Sequence, residues 1–469
     1  MGSVIYQIGR LDSNIMEELD FRIEGRVYRK KLSCFALKEY LKENAEDVKA
    51  IVVYPVSLPF NEKLKKFNLG ILSEKINKIL ENPEDYLSDP KSFFTFMPYA
   101  EEIDEFFVIH SIGEYCRTKF EVAFNDIVFE LALDMMERYL KGEITKVYID
   151  ISSGHNIYVS ALLEAVRFFS TWVNLKNWLP ESRKTEIWLT FSDPILGNEV
   201  SVYDIHMEKL EFKSFFSSPI NKKDLDENIV AKRIYENDRE KKRKLSRLLE
   251  NFATIFSAIK NNAPLAVYYL GYDKDEGIEE TIKMIIEDMK RNLYTSYKKS
   301  PNLDKNTYTK AILSLGLYYG IVKVLKHYGV CGYNEEEGVS LEEIKNNFSG
   351  MYELFKLKPN NEFLGNEISS TEKAMEEVVD DSKWYPLARF LQREYRDPEE
   401  REERVASRGE LKKRNFLAHA GLERNITEVR KSKGQIFARY KNEFKIVSCD
   451  QEKIVQVKDI IKRWLKDEV

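Results

Sequence analysis

The stretch that most limits the fold is VYIDISSGHN at 147–156, where a short apolar run meets a Ser-Ser-Gly turn and helical spacing starts at once, continuing to residue 172. A buried strand passing directly into a helix is the repeating piece of an open α/β sheet. The first two hundred or so residues repeat it. Short apolar strands are expected at 4–8, 51–54, 106–110, 186–191 and 200–205, with a hairpin at 21–31 around Gly25. Helical spacing is expected from Ser33, as the cap, to Lys42, and over 118–140, where Phe120, Phe124, Ile127, Leu131 and Met135 form one stripe. The expected fold class is α/β plus all-α: a doubly wound, largely parallel sheet with a mixed late edge, followed by a helical domain.

Ser217-Ser218-Pro219 opens a composition shift, which gives an expected division into 1–218 and 219–469. Beyond it, helices are expected over 229–259, 278–293, 309–328 and 372–395, with 329–368 an insertion or small subdomain. A hairpin is expected over 435–447 around Lys441-Asn442, and a closing helix over 454–467. The run Lys241-Lys242-Arg243-Lys244 reads as a solvated helix face, and secondarily as a patch tracking a nucleic-acid backbone.

The formal charge of −5 argues against a protein that coats nucleic acid over a whole face, so any such contact belongs in a groove. Four cysteines scattered without a C-x-x-C pair argue against disulfides and zinc and point to a reducing cytoplasm. Neither a leader peptide nor a membrane span is expected, because no apolar run is long enough. The sequence has neither G-x-G-x-x-G nor a P-loop, which disfavours a dinucleotide cofactor and a P-loop NTPase.

Two constellations carry chemistry. At the end of the 147–151 strand, Ser152, Ser153 and Gly154, with the free N–H groups of the next helix, can cradle an anion, and His155 and Asn156 follow. Asn156 suits a base or ribose edge, and Gly9-Arg10, after the first strand, opens on the same sheet edge and adds a cation. The same serines and glycine would also make an ordinary capped strand-to-helix turn. The second constellation closes a helix expected over 397–421, with Asp397 as cap, Pro398 in the first turn, and Gly421 leaving in a left-handed turn. Its last turns carry Arg414, Asn415 and His419, one of five histidines.

Asn415 and His419 share a face, while Arg414 lies about 140° round from His419, so a long reach or a second chain is needed to unite them. The negative end of the helix dipole favours a cation at 419. A histidine moving a proton beside a fixed cation suits attack on a phosphodiester. Arg414 and His419 would equally serve as a dipole partner and a helix-end histidine. The other histidines, His110, His206 and His327, show no paired spacing that would cage a metal.

Taken together, these residues resemble a CRISPR-associated ribonuclease of the CARF–HEPN family, the accessory effector of type III systems. The R-x4-6-H motif of HEPN domains matches Arg414 to His419, including the polar residue after the arginine, and Asp150, Ser152, Gly154 and Asn156 fit the D-[IL]-[ST]-x-G-x-N pattern of CARF sensors. Ser153 and His155 depart from relatives that carry a histidine and an apolar residue there. The resemblance implies a Rossmann-like CARF sensor followed by a helical HEPN domain, in a homodimer or higher homo-oligomer. Two Arg/His pairs would then share one cleft, with Arg414, Asn415 and His419 catalytic. It implies cleavage of single-stranded RNA without metal or cofactor, giving 2′,3′-cyclic phosphate and 5′-hydroxyl ends. It also implies activation by a cyclic oligoadenylate, the tetramer first, bound at Gly9, Arg10 and Ser152 to Asn156. A ligand-sensing DNA-binding regulator and a non-catalytic scaffold are the alternatives.

Overall fold

A computed structural model describes residues 2–12, 15–182, 184–194, 201–378, 380, 382–391, 411–448 and 451–469. The chain forms two compact units. The first comprises Met1–Asn174, Arg183–Ser214 and Lys283–Lys305; the second comprises Leu175–Ser182, Phe215–Ile282 and Asn306–Val469. Lys283–Lys305 thus belongs to the first unit, although it falls after the 218/219 division read from the sequence.

The strands of the first unit are β1 (Gly2–Ile8), β2 (Leu19–Ile23), β3 (Arg26–Lys30), β4 (Val48–Pro55), β5 (Glu105–Ile109), β6 (Gly113–Tyr115), β7 (Thr118–Phe120), β8 (Ile144–Asp150), β9 (Glu186–Ser192) and β10 (Tyr203–Leu210). Eight of them make one sheet in the order β3-β2-β10-β9-β8-β1-β4-β5. The run from β9 to β5 is parallel, whereas β10 lies antiparallel to β9, which makes the late edge mixed. Parallel strands covered on both faces must be apolar throughout, and Ile5, Tyr6 and Ile8 of β1 are completely buried. Each such side chain contributes about 1.5–3 kcal/mol through its removal from water.

One core cluster joins Ile5, Val52, Tyr54 and Tyr148 to Phe35 and Leu37 of the helix Ser33–Glu43. The helix Phe124–Leu140 packs on β5 and β8. Within the parallel run, β4 and β5 lie on one side of β1 while β8 and β9 lie on the other, so the strand order reverses between β1 and β8. That reversal opens a crevice at the carboxyl ends of these strands.

Three expectations for this unit need correction. Leu32, not Ser33, is the N-cap of the first helix, and Ser33 turns its hydroxyl to Gln7. Residues 118–120 are the strand β7, paired with β6, so the helical spacing begins only at Phe124. The last strand of the sheet is Tyr203–Leu210 rather than 200–205.

In the second unit the expected helix over 229–259 is two, Ile229–Ile234 and Arg239–Lys260, because Asp238 caps a fresh start by accepting from the Lys241 N–H. Pro264–Leu270 and Lys305–His327 follow, and the 329–368 region supplies two regular helices, Leu341–Leu354 and Lys358–Ala374. Of the helix expected over 372–395, the described residues show only the end of Lys358–Ala374 and the short helix Ala388–Leu391. Pro386 cannot donate to a helix, and β12 (Tyr385–Pro386) stands there instead, after β11 (Val339–Ser340) in chain order.

β13 (Thr427–Ser432) and β14 (Gln435–Tyr440) complete a four-stranded sheet in the order β11-β14-β13-β12. β15 (Glu443–Ser448) pairs with β16 (Gln451–Gln456), so the helix expected from 454 begins at Val457 and runs to Lys466. Among the described residues no helix is long and apolar enough to cross a membrane.

Candidate functional site

The carboxyl ends of β1 and β8 bring the first constellation together. Register sets Gln7 of β1 beside Val52 of β4 and Asp150 of β8, and Asp150 beside Thr190 of β9. The turn after β8 folds back onto the end of β1. Ser153 Oγ donates to the Ile8 carbonyl at 3.1 Å and accepts from Gln7 Nε2 at 3.0 Å. Ser152 Oγ accepts from the Ser192 N–H at 2.8 Å. Both serine hydroxyls therefore hold the turn in place, and His155 and Asn156 beside it are exposed.

Gly154 has φ +106°, and a Cβ there would sit 2.6 Å from Ile8 Cβ. At Gly9 a Cβ would meet the Tyr54 ring at 2.3 Å, so packing alone demands glycine there. Arg10 donates to the Lys31 carbonyl at 3.3 Å, and its Nε lies 3.8 Å from Asp12 Oδ2. Asp150 Oδ1 accepts from the Ser152 N–H at 2.8 Å, while Oδ2 is buried with no close hydrogen-bond partner among the described residues. Burial pushes the Asp150 carboxyl up, against the pull of hydrogen bonding from Ser152 and Ser33.

Gln7 was not among the sequence candidates. Completely buried, it also donates to Ser33 Oγ at 2.8 Å and accepts from the Cys34 N–H at 3.3 Å. It so ties the β8 turn to the N-terminus of the helix Ser33–Glu43. Two helix N-termini, that of Ser33–Glu43 and that of Asn156–Lys176, flank this knot, which suits it to an anionic ligand. The clue was an amide inside the otherwise apolar end of β1.

The second constellation sits on a short helix. Residues 397–410 of the expected helix, with the cap Asp397 and Pro398, lie outside the described residues. The helix carrying the motif is Lys413–Ala418, and it starts afresh after Lys412, whose backbone is extended. Arg414 and Asn415 therefore stand in its first turn, not its last, and both are exposed.

Phe416 anchors the helix, packed against Tyr440 and Trp464 at ring distances of 6.4 and 5.4 Å. His419 is the C-cap. Ala420 takes the left-handed conformation expected of Gly421, with φ +50°, and Gly421 follows at +77°. The Gly421 N–H closes on the Phe416 carbonyl at 2.9 Å, a Schellman closure, and Tyr440 Oη donates to the Gly421 carbonyl at 2.7 Å. His419 is one-third exposed, and its Nδ1 lies 3.3 Å from both carboxylate oxygens of Glu367 on the helix Lys358–Ala374. No hydrogen bond links Arg414 to His419 among the described residues.

Comparison with known families bears on both halves. The model of the CARF domain of CRISPR system endoribonuclease Csx1 matches residues 3–194, and the model of its HEPN domain matches 357–443. The chain belongs to the CARF–HEPN family of CRISPR-associated endoribonucleases. A relative, the CRISPR system endoribonuclease Csx1 of Methanocaldococcus jannaschii, is 24% identical over 414 residues, covering 80% of this chain and 77% of its own length. The CARF match contains the whole β1–β8 constellation, and the HEPN match contains Glu367, Arg414, Asn415 and His419. Glu367 escaped the sequence reading because it lies 52 residues from His419 and belongs to no motif.

Proposed function

We propose that this CARF–HEPN chain is a metal-independent endoribonuclease of type III CRISPR defence, cutting single-stranded RNA when a cyclic oligoadenylate occupies its CARF domain. One observation carries the reading. Arg414 and Asn415 are exposed and His419 is partly so, on a helix whose Phe416 is locked into the core. Such residues are held rigidly and presented outward, as substrate-handling groups must be. Because Arg414 and His419 lie about 140° apart on that helix, a paired second copy completes the pocket.

In that pocket the RNA 2′-hydroxyl gives its proton to His419. The O2′–P bond forms as the P–O5′ bond breaks, and the second copy's imidazolium returns a proton to the departing 5′-oxygen. Arg414 stabilises the charge gathering on the phosphorane, and Asn415 orients the phosphate. Products carry 2′,3′-cyclic phosphate and 5′-hydroxyl ends, and DNA, lacking the hydroxyl, is spared.

The anionic activator lies across the turn at Ser152 to Asn156 with Gly9-Arg10, and cyclic tetra-adenylate matches a dimer axis. It activates by binding the competent arrangement more tightly than the resting one. The test incubates labelled RNA with the protein in EDTA, alone and with cyclic tetra- or hexa-adenylate. Cleavage that depends on the cyclic ligand, and is lost in His419→Ala with the fold retained, is expected. Full cleavage by the variant removes His419 from the mechanism.

A further inference from the structure

The Glu367 carboxylate makes no bond among the described residues except to His419. Its helix is fixed by Leu364, Ile368 and Thr371, all buried, so Glu367 stands at the margin of a buried face rather than on a free one. Thr371 Oγ1 donates back to the Glu367 carbonyl at 3.0 Å, which holds that turn. On the other side, the closure at Gly421 and the Tyr440 bond fix the backbone that carries the imidazole. Two rigid mounts thus meet across one contact. Both carboxylate oxygens lie at the same 3.3 Å from Nδ1, so the group straddles that nitrogen, and Nε2 makes no hydrogen bond among the described residues.

A carboxylate can only accept. The neutral imidazole therefore carries its proton on Nδ1, directed at Glu367, and keeps its lone pair on Nε2. When Nε2 takes the proton of the 2′-hydroxyl, the resulting imidazolium faces a fixed negative charge. We propose that Glu367 is a positioning residue for this reaction: it selects the His419 tautomer with a free Nε2 and stabilises the imidazolium formed during cleavage. The inference rests on the reading of His419 as the proton carrier. Glu367 itself neither touches RNA nor exchanges a proton with it.

A merely structural role for Glu367 and a positioning role predict different things. Loss of an outer support for a working histidine typically costs about tenfold to a hundredfold in activity. Glu367→Ala is expected to lower kcat by that amount with KM unchanged within about twofold, since no RNA contact is lost. Glu367→Gln keeps an acceptor but not the charge, so it retains the tautomer and loses part of the rate. Glu367→Asp restores part of the kcat of the alanine variant.

The tautomer is read separately, on the full chain labelled with ring-15N histidine, with His419→Ala assigning the signal. Wild type is expected to show Nδ1 protonated, and Glu367→Ala to show the proton shifted toward Nε2. An unprotonated Nδ1 in the wild-type protein at neutral pH overturns the proposal, as does wild-type kcat in Glu367→Ala. The two failures are separable. A dead His419→Ala beside a fully active Glu367→Ala sinks only the role of Glu367, whereas an active His419→Ala sinks the nuclease reading and this inference with it.

Discussion

Gly154→Ala concentrates the sensor argument in one methyl group. The new Cβ would lie 2.6 Å from Ile8 Cβ and Cγ2, and ordinary contact begins at 3.4 Å, so something must move by about 0.8 Å. Ile8 is the wrong partner to move. It is completely buried at the end of β1, which is paired to β4 on one side and β8 on the other. The turn must yield, and it can do so only by stretching the Ser153 bonds to the Ile8 carbonyl and to Gln7.

Alanine at φ +106° adds backbone strain of about 1–3 kcal/mol, and the clash adds about 1–3 kcal/mol of overpacking. The rigid sheet directs most of this into the ligand-facing turn. If only about 3 kcal/mol is felt by the bound state, affinity falls about a hundredfold, at 1.4 kcal/mol per decade. Calorimetric titration with cyclic tetra-adenylate measures that loss, and a thermal melt followed by circular dichroism reports the fold. A Kd within about twofold of wild type, with an unchanged melt, would refute the claim that the fit of Gly154 to Ile8 sets the turn.

Two further expectations address other parts of the molecule. The Arg138 guanidinium hydrogen-bonds Glu105 and, against the cost of burial and with help from Lys49, holds its carboxyl down at about 2. A depressed folded-state value means the stabilisation is present above the ordinary value of about 4.3 and is lost as pH falls through about 2. The stability gap between wild type and Glu105→Gln, from urea unfolding, should therefore be full at pH 6 and close toward pH 2; a constant gap down to pH 2.5 contradicts this. Tyr440→Phe leaves the buried Gly421 carbonyl without its donor, a cost of about 1–3 kcal/mol, and loosens the turn that carries His419. RNA turnover should drop severalfold while cyclic-ligand affinity stays at the wild-type level, and equal losses in both would place the effect elsewhere.

Local chemistry made much of the first unit legible. The strands 4–8, 51–54 and 106–110 were apolar runs ended by Gly, Pro or His, and a strand buried on both faces has little freedom to look otherwise. The Asp150 to Asn156 turn was legible for the same reason, since its spacing is itself the structure. Errors arose where two local signals competed. β14 pairs back with β13 through a turn at Lys433-Gly434, both with positive φ, rather than with β15 across Lys441-Asn442. Glycine there was the stronger signal, because a two-residue turn of this hand needs two left-handed residues. Pro386 likewise outweighed the helical spacing around it.

What stayed hidden are contacts between side chains far apart in the sequence, and the working parts of both sites depend on them. Gln7 reaches Ser153 across 146 residues, and Glu367 reaches His419 across 52. Lys283–Lys305 shows the same principle at the scale of a segment. It follows helical sequence, yet it joins the first unit because His110 Nε2 meets the Ser296 carbonyl at 2.9 Å, the Glu121 N–H meets the Lys298 carbonyl at 2.7 Å and Ser300 Oγ meets Asp126 at 2.7 Å. None of these groups belongs to a periodic pattern; in two of the three contacts one partner, His110 or Asp126, is completely buried. The motifs therefore name the candidate groups, whereas the groups that hold them in place are found through the partners that buried polar atoms require. That requirement is what singled out Gln7, and at the other site His419, the one partner of the Glu367 carboxylate among the described residues, singled out Glu367.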